Sequence, residues 1–176
     1  MQALLDHHAN VHARGCNSWT PLHDASYYGY PDIIQLLLEF GADVDAETGD
    51  QHTPLHLAAM KGNLAAARRL LKHGAIVHLR GNIGWTPLHH ASFFGDPDVI
   101  LLLLEHRADV NAQDDERGTS LHLAVDSGEM KAVRLLLKYG ASVHSQNTVL
   151  QTPFQVASAI GSQEMIDLLH EHMRRE

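Results

Sequence analysis

The apolar positions of the chain fall into short blocks, each about two helical turns long and separated by glycine or by polar turns. One set of blocks is strongly apolar. It comprises Ile33, Ile34, Leu36, Leu37 and Leu38; Leu64, Leu70 and Leu71; Val99 to Leu104; Val133 and Leu135 to Leu137; and Met165, Ile166, Leu168 and Leu169. Each is preceded by a block that opens on threonine and closes nine residues later at Gly29, Gly62, Gly95, Gly128 or Gly161. A glycine at that point supplies the left-handed conformation that ends a helix. Pro31 and Pro97 stand at the start of the second block, where proline is tolerated. After it come Gly41, Gly74 or Gly140, then Ala42-Asp43-Val44 and its relatives, then a polar turn. The pattern predicts helix, turn, helix and extended hairpin, repeated along the chain.

The period is fixed by the opening motif. Thr-Pro-Leu-His-x-Ala or a close variant begins at Thr20, Thr53, Thr86, Thr119 and Thr152, each 33 residues after the last. Threonine is a good N-cap, because its hydroxyl accepts from an otherwise orphaned backbone N–H. Proline suits the first helical position, where no donor is needed. A self-similar period of this length is the signature of a solenoid. Each unit cannot bury its apolar helix faces alone, so neighbours stack into one continuous core.

With five copies in register, the sequence resembles the ankyrin repeat family over essentially all 176 residues. The resemblance implies an all-α solenoid of stacked helix-turn-helix units joined by β-hairpin-like loops. Its expected boundaries are a partial repeat at 1–14, full repeats at about 15–47, 48–80, 81–113 and 114–146, and a C-terminal capping repeat at 147–176. Departures are local. Ser120 replaces the motif proline, Phe154-Gln155 replaces Leu-His, and Arg107 replaces the glycine after the second helix. Arg107 must either adopt a left-handed conformation, at a cost on the order of 1 kcal/mol, or end its helix differently. Glu164, Asp167, Glu171 and Arg174 make the last helix polar enough to cap the stack. Leu4 to Val11 aligns with the tail of a repeat, with His8 in the C-cap position, so Met1 reads as a fragment boundary with further repeats expected upstream.

A longer period lies inside the first. Trp19 to Asp32 matches Trp85 to Asp98 better than either matches the copy between them, and His12-Ala13-Arg14-Gly15 echoes His78-Leu79-Arg80-Gly81. Duplication of a unit of two repeats accounts for this.

Composition narrows the function. The net charge of −8 opposes a nucleic-acid surface, which needs a basic face. No apolar run approaches the length that crosses a bilayer, so no membrane insertion is expected. One cysteine, Cys16, leaves no internal disulfide framework and fits a reducing, intracellular compartment, cytoplasmic or nuclear. The 15 histidines invite a metal or acid–base reading. His23, His56, His89 and His122 belong to the repeated motif, and the resemblance gives them hydrogen bonds within and across repeats. The column His12, Asp45, His78, Asn111 and His144 fails as a metal ladder. Stacked helices lie about 8–10 Å apart, whereas each zinc ligand sits about 2 Å from the ion. Adjacent pairs such as His89-His90 point apart on a helix. No catalytic or phosphate-binding motif occurs, so no enzyme, cofactor or metal is expected.

The resemblance places function in protein recognition, on a monomeric module, by the side chains that the repeat leaves free. These are hairpin positions just before each threonine and the pair just before each helix-ending glycine, which the family projects into a concave groove. The candidates here are Trp19, Tyr27, Tyr28, His52, Met60, Lys61, Ile83, Trp85, Phe93, Phe94, Glu116 and Asp126. Exposed aromatic residues are the commonest interface hot spots. The two aromatic clusters should lie two repeats apart, on the order of 20 Å, and the acidic hairpins favour a partner with basic flanks and apolar anchors. The leading reading is a non-catalytic adaptor, scaffold or inhibitor. One alternative is the substrate-targeting region of a larger enzyme or ubiquitin-ligase complex. Another rests on Leu103 with Asp109-Val110-Asn111, which resembles the context in which an asparaginyl hydroxylase modifies ankyrin repeats, here at Asn111.

Overall fold

The computed structural model describes residues 10–174, which form two stacked layers of helices. The inner layer holds α1 (Pro21–Tyr28), α3 (Pro54–Met60), α5 (Pro87–Phe94), α7 (Ser120–Asp126) and α9 (Pro153–Ile160). The outer layer holds α2 (Pro31–Glu39), α4 (Leu64–Lys72), α6 (Pro97–Glu105), α8 (Met130–Lys138) and α10 (Gln163–Met173). Each helix packs on its partner within the repeat, successive inner helices pack on one another, and so do the outer helices from α2 to α8. Of the partial repeat expected over Leu4 to Val11, all but Asn10 and Val11, His8 included, lies outside the described residues.

Two leucine columns carry the core. Leu22, Leu55, Leu88 and Leu121 sit two residues after successive threonines and are fully buried in the inner layer. Leu37, Leu70, Leu103, Leu136 and Leu169 do the same in the outer layer. A completely buried leucine contributes roughly 1.5–3 kcal/mol of transfer free energy, so the stack is held by a continuous apolar wall. At its end, α10 buries Met165 and Leu169 while Glu164, Asp167 and Glu171 stay exposed.

The histidine of each motif joins neighbouring repeats. In the third repeat the backbone N–H of Thr86 donates to His89 Nδ1 at 3.1 Å, and the Thr86 hydroxyl lies 2.8 Å from the same atom. A backbone N–H can only donate, so Nδ1 is an acceptor and the ring proton sits on Nε2. That Nε2–H then reaches a carbonyl of the following repeat. His23 donates to His52, His56 to Trp85, His89 to Gly118 and His122 to Gln151, at 3.0–3.4 Å. The structural reading of these four histidines is therefore visible in their geometry.

The hairpins are tighter than an extended arm. Each is closed by one backbone bond across five residues, from Gly15, Thr48, Gly81, Asp114 and Asn147 to Trp19, His52, Trp85, Gly118 and Gln151. Among the described residues there is no strand, and β pairing is reduced to a single antiparallel bridge between Gln113 and Thr119. Loops this short cannot extend a ladder, so the expected hairpins are turns.

Arg107 takes the left-handed route, at φ 66°, where Gly41, Gly74 and Gly140 hold φ 84–87°. Replacing Arg107 with glycine is expected to stabilise the domain by about 1 kcal/mol, read as a higher urea midpoint with an unchanged slope.

Candidate functional site

The free positions of the repeat gather into two aromatic clusters. Trp19, at the end of the first turn, meets Tyr27 at 5.5 Å between ring centroids, Tyr27 meets Tyr28 at 5.1 Å, and Tyr28 stacks on Tyr30 at 6.2 Å. Two repeats on, Trp85 meets Phe93 at 5.5 Å and Phe93 meets Phe94 at 5.2 Å. In both clusters the tryptophan and the first aromatic are half-buried, while the outermost ring is exposed: Tyr28 by 62% and Phe94 by 52%. The local cause is helix geometry. The first of the two rings at the end of an inner helix packs on the tryptophan of the turn before that helix, and the αL glycine behind them turns the chain away. Gly95 holds φ 74°, a left-handed backbone that side chains rarely adopt, and a Cβ there would also displace the Glu129 carboxylate.

Shared register places Met60, Lys61 and Asp126 at the ends of inner helices and His52, Ile83 and Glu116 in the hairpins before them. Lys61 ends the second inner helix and sets its ammonium 4.4 Å above the Tyr27 ring, a cation–π contact that ties the first cluster to the second repeat. Met60 beside it is half-buried. Asp126, at the end of α7, is exposed, as are Ile83 and Glu116 at the hairpin tips. Those tips are cross-linked by backbone bonds, Gly49 to Asn17, Asp115 to Ile83 and Thr148 to Glu116, at 2.8–3.1 Å. Arg80 adds an exposed ion pair with Asp115 at 2.7 Å. The tips of the first two hairpins are therefore tied to each other, and those of the last three form a second tied row.

The tryptophans differ in a way their matching motifs hide. The Trp85 indole N–H donates to Asp114 Oδ2 at 3.1 Å, which fixes the ring. The Trp19 indole N–H has no protein partner among the described residues. Asp114 also accepts from the backbone of Glu116 and Gly118, so it organises the fourth hairpin and the second cluster together.

Between the clusters lies a group absent from the sequence expectations. His90 is 5% exposed and packs against Trp85 at 5.0 Å, His52 at 5.2 Å and His56 at 5.8 Å. Neither of its ring nitrogens has a hydrogen-bond partner. Burial drives its pKa down to about 2, reinforced by the neighbouring imidazoles. His56 falls to about 4, first through burial and then through His52. His52 is also lowered by burial, against the opposing charge of Asp50. The legible signal was columnar, since His90 occupies the position held by Leu57 and Leu123 in the adjacent repeats. The trio does not make a metal site, because both nitrogens of His56 are engaged. Among the described residues no group of three or more His, Cys, Asp or Glu side chains is disposed to hold a metal.

Asn111 is exposed, but its amide is engaged at both ends. Nδ2 donates to the Gly140 carbonyl at 3.2 Å and Oδ1 accepts from the Ser142 backbone at 2.8 Å. Asp45 makes the equivalent bond to the backbone of Ile76 at 3.0 Å. Cys16 is exposed and unpaired.

The chain is thus a helical repeat stack with tied hairpin tips along one edge and exposed aromatic ends on its inner layer. The sequence matches the family model for ankyrin repeats (3 copies) over residues 43–114 and 62–147, and that for a single ankyrin repeat over 17–49. The chain belongs to the ankyrin repeat family, whose members are generally protein–protein interaction modules and typically non-catalytic. No curated protein matches it. No described helix is long and apolar enough to cross a membrane.

Proposed function

We propose that this chain binds a partner protein through the inner layer of its stack, with Trp19, Tyr27 and Tyr28 forming one anchor site and Trp85, Phe93 and Phe94 the other. His52, Met60 and Lys61 line the surface between them, and Ile83, Glu116 and Asp126 extend it towards the fourth repeat. The observation that carries the reading is the paired clusters: equivalent positions, two repeats apart, each ending in a ring more than half exposed. Solvent-exposed rings supported from beneath by half-buried ones present large apolar area at little cost in side-chain freedom, the character of a hot spot. In this role the module acts as an adaptor, scaffold or inhibitor without chemistry of its own. Asn111 favours a structural task over modification, since its amide already bridges two repeats.

The test is capture from host extract on immobilised wild type and on a Trp85→Ala, Phe94→Ala double variant, quantified by mass spectrometry. Proteins bound through the groove should fall at least tenfold on the variant. Equal recovery on both would reject the assignment.

A further inference from the structure

The two clusters are alike in shape but not in chemistry, and the row they belong to changes character from repeat to repeat. At the ends of successive inner helices stand Tyr27-Tyr28, Met60-Lys61, Phe93-Phe94 and Asp126-Ser127. The first two steps offer donors. The hydroxyls of Tyr27, Tyr28 and Tyr30 and the Trp19 indole N–H have no protein partner among the described residues, and the Lys61 ammonium is exposed beside them. At the third step polar capacity ends: Phe93 and Phe94 have none, and the Trp85 indole is already spent on Asp114. The fourth step is acidic, with Asp126 exposed and Glu116 exposed on the adjoining tip, while Asp115 beside it is paired with Arg80. Ser127 turns its hydroxyl inward to the Leu123 carbonyl and leaves Asp126 to face outward. Two carboxylates near the first cluster do not reverse this order. Asp50 is held by Asn17 at 2.6 Å, and Asp24 lines the cleft of Ala13, Cys16 and Trp19 at the far end of the stack.

We infer that the partner segment is an extended stretch of chain carrying an anionic residue, an apolar residue and a basic residue in that order, seated on Lys61, Phe93-Phe94 and Asp126 respectively. This rests on the inner layer being the binding face. The spacing follows from the stack. Successive helices lie about 8–10 Å apart, so Lys61 and Asp126 are separated by roughly 16–20 Å. An extended chain rises about 3.3 Å per residue, which places the anion and the cation about five or six residues apart with the apolar anchor midway. Opposite charges at the two ends fix the register and disfavour partners charged alike at both.

Three capped nine-residue peptides of serine background test this by NMR titration at low ionic strength, where exposed charges are least screened. All carry tryptophan at the fifth position. The first has glutamate second and arginine eighth, the next has arginine at both, and the last has glutamate at both. The mixed peptide should bind at least threefold tighter than either other. On Lys61→Glu the preference should pass to the peptide with two arginines. All three should weaken together on the Trp85→Ala, Phe94→Ala variant. Equal affinities, no binding by any peptide, or an unchanged ranking on Lys61→Glu would overturn the charge order. If affinities are equal but still fall on the aromatic variant, the groove stands without the order. If the aromatic variant binds as wild type does, the groove itself is wrong.

Discussion

Lowering the pH from 7.5 to 5 is expected to reduce the melting temperature on the order of 10 °C, well before any carboxylate in the ordinary range is titrated. The cause is the set of imidazoles that the fold keeps neutral. His56 and His90 are pushed by burial to about 4 and about 2, while the unfolded chain titrates them near 6.5. A folded pKa below the unfolded one means that the unfolded state binds protons first. The stability these groups contribute is therefore present above pH 6.5 and lost as pH falls through 6.5 towards the folded values. Each neutral histidine then costs about 1.4 kcal/mol per pH unit. At pH 5 the pair removes about 4 kcal/mol, and a domain of this size loses about 2–4 °C per kcal/mol.

His23, His89 and His122 are shifted the same way by burial and steepen the loss. Their own hydrogen bonds explain why protonation is disruptive. Nδ1 accepts from the threonine backbone, so a proton there breaks the N-terminal cap of the helix. Partial compensation comes from Asp24 beside His23 and Asp114 beside His89 and His122, and an opposing contribution from Arg14 beside His23 and Arg80 beside His89. Differential scanning calorimetry across pH 5–8 reads the slope. A flat profile would show that these rings are not held neutral.

Replacing His90 with leucine should stabilise the protein by roughly 1–3 kcal/mol at pH 7.5 and also reduce its acid sensitivity. A buried imidazole must carry one N–H, and in His90 that donor has no acceptor. An unsatisfied buried polar group costs about 1–3 kcal/mol, whereas an apolar group of similar shape avoids the penalty. Leucine already fills this position in the repeats on either side, buried at Leu57 and half-buried at Leu123. Urea unfolding at pH 7.5 and pH 5.5 checks both effects. A lower midpoint for His90→Leu would mean that the ring is bonded after all, through an ordered water.

Most of the fold was legible because it is written five times. Thr86, Pro87, His89 and Gly95 each perform a local task that any copy would show, and the constant spacing carried those tasks to the other repeats. Arg107 was legible for the same reason, since a column of glycines exposes the exception. The contents of the aromatic clusters were readable as free positions, but their chemistry was not. That Trp85 is tied depends on Asp114, 29 residues away and in a different repeat, where the counterpart for Trp19 is Thr48. His90 was missed because a histidine beside the motif histidine reads as one more polar residue. Only packing against His52 and Trp85 reveals that it is buried without partners. The hairpins read as extended arms because polar turns resemble them in sequence, while their closure by one bond each is a matter of loop length.

The claim that the two aromatic clusters form the binding surface is tested most directly by affinity for the captured partner. Calorimetric titration should give a dissociation constant raised at least thirtyfold by Trp85→Ala with Phe94→Ala, taking hot-spot losses of about 2 kcal/mol or more. A helical circular dichroism spectrum matching the wild type would exclude unfolding as the cause. A dissociation constant within a factor of two of wild type would contradict the account and move the site to another face of the stack.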